Sequence, residues 1–284
     1  MAASDLRIRA VLAPTMLLVV GLVYWLDFQA LGGLRQGSLS AGLLALLGLA
    51  GVWEYTALLR GQGFAVAGRT LLVATALLLG SAFLFEWREL GHALAPLVGS
   101  TFALVFWLAA RSLQKAHMQV GLEVQGASVL GFVFLAWPFY LAIGTCFRHL
   151  PSVLFVVLVC KGGDIGGYCL GRLFGRHKLI PHISPGKTIE GALGSLLTSV
   201  LLAVALRGSL LAPELVLPLW AAVLVGVALN VTTQTGDLIE SLLKRRCNAK
   251  DSSKLLPAHG GVLDLTDSLV FSFGVWFVVL FWLG

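Results

Sequence analysis

The chain has 284 residues, of which 58% are hydrophobic and only 12% are charged. Soluble domains carry about 25% charged residues, so this chain has too little polar surface to cover a globule in water. The net charge of +6 favours basic loops that face anionic lipid headgroups over nucleic-acid binding. The composition therefore excludes an ordinary soluble domain and predicts a membrane protein.

Nine apolar runs follow one another along the chain, and most approach the roughly 20 helical residues that cross about 30 Å of hydrocarbon. The first begins close behind Arg7 and Arg9 without a clear small-x-small cleavage site, so we interpret it as a retained span. The pattern predicts an all-α polytopic integral membrane protein with about nine transmembrane helices. The runs cover residues 11–28, 38–59, 70–85, 92–110, 126–147, 151–170, 189–206, 213–231 and 269–283.

Positive residues in the loops indicate how these helices are oriented. If the N-terminus is cytoplasmic, the loops on that side carry clusters of lysine and arginine, whereas each opposite loop carries one arginine. The positive-inside rule therefore predicts an N-in, C-out protein. The positive residues on the cytoplasmic side are Arg60, Arg69, Arg111, Lys115, Arg172, Arg176, Lys178, Lys187, Lys244, Arg245, Arg246, Lys250 and Lys254.

The sixth run contains Lys161 and Asp164, which are costly inside lipid and are therefore candidates for function. Asp164 and Tyr168 lie four residues apart, so a helix places them on one face. Three glycines nearby have the small-xxx-small spacing that lets membrane helices approach closely, and we predict that they form a packing seam. They are Gly163, Gly167 and Gly171.

The segment 184–191 contains a Gly-Lys-Thr triplet that suggests a P-loop. Pro181 stands where that motif needs a glycine, and no strand pattern precedes it, so we reject the P-loop. We interpret Pro185 as the start of a helix whose first turn carries Lys187 and Thr188. A helix N-terminus with a lysine suits an anion, and a basic loop that contacts lipid headgroups explains the segment equally well.

The most informative polar cluster lies between residues 236 and 268. Acidic and basic residues alternate there between two apolar spans, with Asp237 at the end of one and Asp264 at the beginning of the next. Asp264 and Asp267 are three residues apart and are predicted to share a helical face. Carboxylates at the edges of spans need a cation as partner. Mg²⁺ binds carboxylate and phosphate oxygens, and the interleaved lysines and arginines suit phosphates.

Residues 241–251 read S-x-x-K-R-x4-K-D, and residues 259–267 read H-G-G-x-x-D-x-x-D. This pair of motifs resembles the signature of the phosphatidate cytidylyltransferases, the CDP-diacylglycerol synthases. Segments 164–178 and 184–191 resemble two further motifs of that family, and Glu54-Tyr55 is similar to a short E-Y/F motif. Leu265 and Gly186 stand where the family has a cation, and Gly167 stands where it has alanine.

The resemblance implies transfer of the cytidylyl group of CTP to phosphatidate, giving CDP-diacylglycerol and pyrophosphate for phospholipid biosynthesis. It implies Mg²⁺ as a cofactor, with Asp237 and Asp264 as metal ligands, and leaves a second cation such as K⁺ open. The catalytic residues that it implies are Asp237, Asp264, Asp267, Lys250 and Asp251. The substrate-binding residues that it implies are Asp164, Tyr168, Ser184, Lys187, Thr188, Glu190, Ser241, Lys244, Arg245, His259, Gly260 and Gly261.

The chain is expected to have two parts. Residues 1–150 are expected to supply about five N-terminal transmembrane helices, and residues 151–284 to form a C-terminal transmembrane catalytic region with cytoplasmic motif loops. The expected partners are CTP, phosphatidate and membrane lipids, without nucleic acid, and a homodimer is left open. The expected location is the bacterial cytoplasmic (inner) membrane, with the active site facing the cytoplasm.

Two other functions remain open from the sequence. A CTP-dependent lipid kinase would transfer the γ-phosphoryl group to a polyprenol-type alcohol and release CDP instead of pyrophosphate. A transporter would use Asp164 and Asp237 as ion-coupling sites, but it would need internal repeats or paired broken helices, and the sequence has neither pattern.

Overall fold

The protein is described by a computed structural model that covers residues 18–29, 34–84, 90–113, 121–253, 255 and 260–283. Within these residues the fold is almost entirely helical, with one short antiparallel ribbon of two strands. In chain order the elements are α1 (Leu18–Phe28), α2 (Ser38–Gly61), α3 (Gly68–Ser81), α4 (Leu90–Ser112), α5 (Gly121–Gly131), a π-helical turn (Phe132–Ala136), α6 (Trp137–Phe174), β1 (Lys178–Ile180), β2 (Ser184–Thr188), α7 (Ile189–Leu210), a 3₁₀ turn (Pro213–Leu215), α8 (Leu219–Arg246), α9 (Val262–Thr266) and α10 (Val270–Leu283).

Five helical segments in the described part of the chain are long and apolar enough to cross a membrane. They are Ser38–Gly61, His92–Ser112, Gly121–Phe174, Ile189–Leu210 and Leu219–Arg246, and the shorter apolar helices α1, α3 and α10 accompany them. The prediction of an all-α polytopic membrane protein is therefore confirmed. The number of crossings and the N-in, C-out orientation stay predictions, and residues 11–17 of the first predicted run lie outside the described residues.

The long helical segment from α5 to α6 contains one break. His149 has φ −158° and ψ 92°, which is not helical, and Pro151 follows two residues later. Proline cannot donate the hydrogen bond that would continue the helix, and its ring crowds the preceding turn. The break separates the two apolar runs, 126–147 and 151–170, that the sequence predicts as distinct spans.

The chain divides into two compact units. The first comprises the described residues of Met1–Arg148 and Cys247–Leu265, and the second those of His149–Arg246 and Thr266–Gly284. In the first unit α2, α3 and the π-helical turn pack together around Tyr55, whose hydroxyl donates to the Ala127 carbonyl at 2.8 Å. In the second unit α8 packs against α7 and α10, and the rings of Phe155 and Trp276 lie 5.0 Å apart. The assignment of catalysis to residues 151–284 stays a prediction.

The three glycines that predict a seam do form one in the second unit, against α7. A Cβ at Gly167 would lie 2.9 Å from the Cβ of Ser195, and one at Gly171 would lie 3.2 Å from the Cα of Gly191. A Cβ at Gly163 would collide with the Ser199 hydroxyl. Backbones can approach this closely only where side chains are absent, so the small-xxx-small interpretation is confirmed.

The prediction that Pro185 begins a helix is wrong. Ser184–Thr188 forms strand β2, which pairs with β1 so that Lys178 lies opposite Thr188. Helix α7 begins only at Ile189, because Thr188 is its N-cap and accepts a hydrogen bond from the Gly191 N–H at 3.1 Å. Threonine satisfies an otherwise unpaired N–H of the first turn and thereby defines the start of the helix.

Two expectations for the region around residues 237–267 are also wrong. Asp237 does not end a span, because α8 continues without a break to Arg246. Asp264 and Asp267 do not share one helical face, because α9 ends at Thr266 and a turn over 267–269 precedes α10. Residues 237–246 include no glycine or proline that would stop the helix, so α8 continues past Asp237.

Candidate active site

The main polar cluster of the second unit surrounds Asp237 on α8. The ammonium group of Lys187, at the end of β2, lies 2.6 Å from Asp237 Oδ2. The hydroxyl of Ser241, one helical turn further along α8, lies 3.4 Å from Asp237 Oδ1. Lys187 is held in this position because the ribbon turns directly into α7 behind the Thr188 cap. Three residues that the sequence predicts as site residues are therefore brought together.

Two further carboxylates lie beside Asp237. Asp237, Glu240 and Asp267 each offer an oxygen, and these three oxygens lie within 4.8 Å of one another. Glu240 is completely buried, and its Oε2 lies 2.5 Å from the ammonium group of Lys244. Glu240 is not among the residues predicted from the sequence, although its position three residues after Asp237 on one helix is the signal that could have found it.

The structure shows how Asp267 is held within this cluster. It lies in the turn between α9 and α10, where its Oδ1 accepts the Ser268 N–H at 2.6 Å. Burial, followed by the negative charge of Asp237, raises the pKa of the Asp267 carboxyl to about 7. The buried carboxylate of Asp267 and the part-buried carboxylate of Asp237 repel each other at this distance, and a bound cation would remove the repulsion and reduce the desolvation cost.

Asp164 and Lys161 on α6 form a second polar pair in the same unit. The ammonium group of Lys161 lies 3.7 Å from Asp164 Oδ2 and donates to the Ser268 hydroxyl at 2.6 Å. Both side chains are about one-third exposed. Lys161 thus joins the carboxylate that the sequence predicts to the turn that carries Asp267. The sequence analysis singled out Lys161 but assigned it no role.

The remaining predicted residues of the second unit lie on the ribbon and the adjoining helix ends. Glu190 accepts the His177 N–H at 3.2 Å and contacts His177 Nδ1 at 2.6 Å, so it ties the end of α6 to the start of α7. The Tyr168 hydroxyl accepts from Arg172 at 3.2 Å on an exposed face. Ser184 is half-buried in β2, and Arg245 reaches the Ile183 carbonyl at 3.4 Å. Their roles toward a substrate stay predictions.

Asp264 belongs to the first unit and organises the segment around it. Its Oδ2 accepts the N–H groups of Ser252 and Gly261, both at 2.8 Å, and the Ser252 hydroxyl at 2.6 Å. Gly260 has φ +92°, and a Cβ there would lie 2.6 Å from Asp264 Oδ2. Only glycine fits this backbone conformation and this close approach. The role of Asp264 as a metal ligand stays a prediction.

Glu54 on α2 is a functional candidate that the sequence analysis did not place in the site. It is fully buried, and its two carboxylate oxygens accept the N–H groups of Val262 and Leu263 at 2.9 and 2.8 Å. They also lie 3.1 and 2.7 Å from the hydroxyls of Ser252 and Ser253. The Glu54 carboxylate therefore joins residues 252–253 to residues 262–263, which belong to the second signature motif. The short Glu-Tyr motif was its only sequence signal.

Lys250 and Asp251, also in the first unit, are exposed. Gly261 packs so tightly that a Cβ would collide with Glu54 and Ser252. His259 lies outside the described residues. Of the predicted site residues in this unit, Asp264 and Gly261 are thus closely packed, whereas Lys250 and Asp251 are exposed.

The second unit therefore gathers oxygen ligands and lysines beside apolar, membrane-spanning helices. The oxygen-only donors Asp237, Glu240 and Asp267 fit a hard divalent cation such as Mg²⁺. The neighbouring lysines fit phosphate oxygens. The fold and these donor groups are together typical of membrane proteins that bind phosphate groups next to a bilayer.

The comparison with protein families makes this class specific. Residues 8–283 match the model of the Cytidylyltransferase family, so the chain belongs to that family.

Individual relatives agree with the family assignment. The chain is 43% identical over 122 residues to the phosphatidate cytidylyltransferase of Staphylococcus epidermidis, covering 43% of this chain and 46% of that protein. It is 37% identical over 153 residues to the phosphatidate cytidylyltransferase of Bacillus subtilis, covering 50% of this chain and 55% of that protein. The chain thus spans about half the length of the curated relatives it matches.

Proposed function

We propose that this protein transfers the cytidylyl group of CTP to phosphatidate, giving CDP-diacylglycerol and pyrophosphate. Family membership and the names of the two relatives support the reaction. The structural observation that carries the proposal is the group of Asp237, Glu240 and Asp267 with Lys187 at 2.6 Å from Asp237. A carboxylate cluster with adjoining lysines suits a nucleoside triphosphate bound with a divalent cation.

The carboxylate cluster would hold Mg²⁺, with Asp237 and Asp267 as the principal ligands and Glu240 nearby. When bound, such an ion neutralises negative charge on phosphate oxygens and orients them. Lys244 lies 2.5 Å from Glu240 Oε2 and would keep that carboxylate in place. Asp264 as a further ligand and K⁺ as a second cation stay predictions from the sequence.

The transfer itself needs positioning and charge neutralisation more than covalent chemistry by the protein. A phosphate oxygen of phosphatidate forms a bond to the α-phosphorus of CTP, and the bond from that phosphorus to the bridging oxygen of the β-phosphate breaks. The electron pair leaves with pyrophosphate. Lys187 and Lys161 would stabilise the charge on the phosphates, and Asp164 and Ser268 would position Lys161.

We also propose that this site faces the cytoplasm of a bacterium from its inner membrane. The loops that carry Lys178, Lys187 and the signature motifs belong to the positively charged side of the chain. CTP is a cytosolic nucleotide in such a cell, so this orientation gives the site access to its substrate.

Product analysis with two forms of labelled CTP tests the reaction. Purified protein should incorporate label from [α-³²P]CTP into chloroform-soluble lipid when phosphatidate and Mg²⁺ are present, and it should release labelled pyrophosphate from [γ-³²P]CTP. Lipid labelling from [γ-³²P]CTP with release of CDP would instead identify a lipid kinase. No labelling from either form would contradict both activities.

A further inference from the structure

A cavity in the first unit is lined by three arginines that no part of the proposed reaction uses. Its volume is about 320 Å³, and Arg60, Arg69 and Arg111 all contribute to its lining. Ligand pockets in proteins measure about 300 to 1,000 Å³, so this cavity suits a small headgroup rather than a whole lipid. Its other lining residues are Val66, Ala67, Thr70, Leu108, Ser112, Gly121 and Val124.

The cavity lies where two candidate spans end and a third helix begins. Arg60 is in the last turn of α2, Arg111 is in the last turn of α4, and Arg69 is the second residue of α3. The ends of membrane-spanning helices lie at the level of the lipid headgroups. Positive residues are common at the cytoplasmic ends of spans because of the positive-inside rule. That rule does not require three arginines to line the same cavity.

Arg60 is held by its surroundings. Its Nη2 donates to the Val66 carbonyl at 3.2 Å, and a Cβ at Gly68 would lie 2.8 Å from the same nitrogen. The guanidinium therefore lies directly against the first residue of α3. Ordering a long arginine side chain costs conformational entropy, and here the close packing against Gly68 has already restricted it.

The start of α3 adds further donors to the same cavity. Its N-cap is Ala67, which makes no side-chain cap, so the first N–H groups of the helix have no capping side chain as acceptor. Ala67 and Thr70 line the cavity, and helix N-termini favour anions. The start of α3 is held in place by Ser128 of α5, whose hydroxyl accepts the Ala67 N–H at 3.0 Å.

The apolar residues that line the cavity indicate what kind of anion fits it. Val66, Leu108 and Val124 are apolar and lie beside the arginines. Guanidinium forks pair with phosphate oxygens in bidentate geometry. A phosphate that carries an apolar tail would satisfy both the arginines and the apolar wall.

We propose that this arginine cavity is a binding site for the phosphate group of an anionic phospholipid, separate from the residues proposed for cytidylyl transfer. Every lining residue belongs to the first unit, and none of them is assigned to the reaction. The site would hold the headgroup at the membrane surface while the acyl chains lie against α4.

Lipid binding to the purified full-length protein tests this proposal without an activity assay. Native mass spectrometry on delipidated protein would measure the Kd of dioctanoyl phosphatidylglycerol, with dioctanoyl phosphatidylcholine and glycerol 3-phosphate as comparison probes. Phosphatidylglycerol avoids the phosphomonoester headgroup of the proposed substrate. We expect phosphatidylglycerol to bind at least about tenfold more tightly than phosphatidylcholine, because a zwitterionic headgroup partly neutralises its own phosphate.

Variants then locate the binding. The double variant Arg69→Gln with Arg111→Gln should raise the Kd at least about tenfold, whereas Arg35→Gln, an exposed arginine of the same unit outside the cavity, should change it less than about twofold. The double variant Arg69→Lys with Arg111→Lys keeps the charge but loses the fork, and should raise the Kd several-fold. It also keeps the test valid if the glutamine variant does not fold.

The outcomes separate the two sources of phosphate. If glycerol 3-phosphate binds weakly and only the lipid responds to the variants, the ligand is a lipid headgroup. If both respond equally, the site binds soluble phosphates. An unchanged phosphatidylglycerol Kd in the variants that fold, or equally tight binding of phosphatidylcholine, would overturn the proposal.

Discussion

The ammonium group of Lys187 lies 2.6 Å from the carboxylate of Asp237 and joins the ribbon to helix α8. Both side chains are only one-quarter to one-third exposed, so this ion pair is partly shielded from water. Partial burial strengthens the attraction between the two charges and raises the cost of removing either one. The pair brings together residues that are 50 positions apart in the sequence, one in the segment 184–191 and the other in the polar cluster between residues 236 and 268.

Replacing Lys187 by methionine should lower kcat/KM for CTP at least about tenfold, or roughly 1.4 kcal/mol. The change removes the positive charge beside Asp237 while it keeps most of the side-chain length. Lys178→Met is the matched control, because the Lys178 ammonium group donates to the backbone carbonyl of Pro185 at 2.8 Å rather than to a carboxylate of the cluster. Steady-state kinetics on both variants make the comparison. Equal losses would show that the ribbon tolerates neither change and that Lys187 has no special role.

Glu54→Gln should destabilise the segment around residues 252–263. The N–H groups of Val262 and Leu263 now donate to the two carboxylate oxygens at 2.9 and 2.8 Å. A glutamine amide keeps only one acceptor oxygen, so one of these two N–H groups would face an NH₂ donor instead. Leaving buried donors unpaired costs about 1–3 kcal/mol each. Amide hydrogen exchange at Val262 and Leu263 should therefore become at least about fivefold faster. Glu123→Gln is the control, because that exposed carboxylate receives a hydrogen bond from the Ala65 N–H; matching exchange rates in the two variants would contradict the anchoring role.

Gly191→Ala should lower the thermal midpoint of the protein in detergent. A Cβ at Gly191 would lie 2.9 Å from the Gly167 carbonyl and 3.2 Å from the Cα of Gly171, so α6 and α7 would have to separate. Overpacking of this kind costs about 1–3 kcal/mol, which exceeds the gain of up to about 1 kcal/mol from replacing glycine in a helix.

Gly208→Ala is the matched control for the seam. Gly208 lies in the same helix, and a Cβ there would meet nothing within 4 Å. It should leave the midpoint unchanged or raise it. A Gly191→Ala variant that melts at or above the wild-type temperature would show that the two helices can separate without cost.

The helices and the glycine seam could be predicted from the sequence because each depends on local periodicity. Apolar runs define where helices form, and a four-residue glycine spacing defines one face of a helix. The break at His149 is also local, since Pro151 alone accounts for it. The start of α7 was misassigned because Pro185 and Thr188 both favour a helix start, and only the pairing of β2 with β1 decides between them.

The detailed site could be predicted only in part because its contacts are distant in the sequence. Asp237 and Asp267 were both selected, but nothing local indicates that the carboxylate of Asp267 approaches those of Asp237 and Glu240. Glu54 lies about 200 positions from Val262 and Leu263, so its anchoring role depends on the packing of the first unit. The short Glu-Tyr motif was the one available signal in the sequence.

A Mg²⁺ titration of cytidylyl transfer, on wild type and on Asp237→Asn and Asp267→Asn, tests the central claim most directly. Asparagine keeps the size of each side chain and removes its charge, and Glu214→Gln, an exposed carboxylate of the second unit, serves as the control. Thermal melting should show that all four proteins are folded. We expect wild type and control to lose activity in excess chelator and to regain it with Mg²⁺. Both asparagine variants should lose at least about a hundredfold in kcat/KM, or roughly 2.7 kcal/mol. Near wild-type rates in both asparagine variants, or full wild-type activity in excess chelator, would contradict the claim.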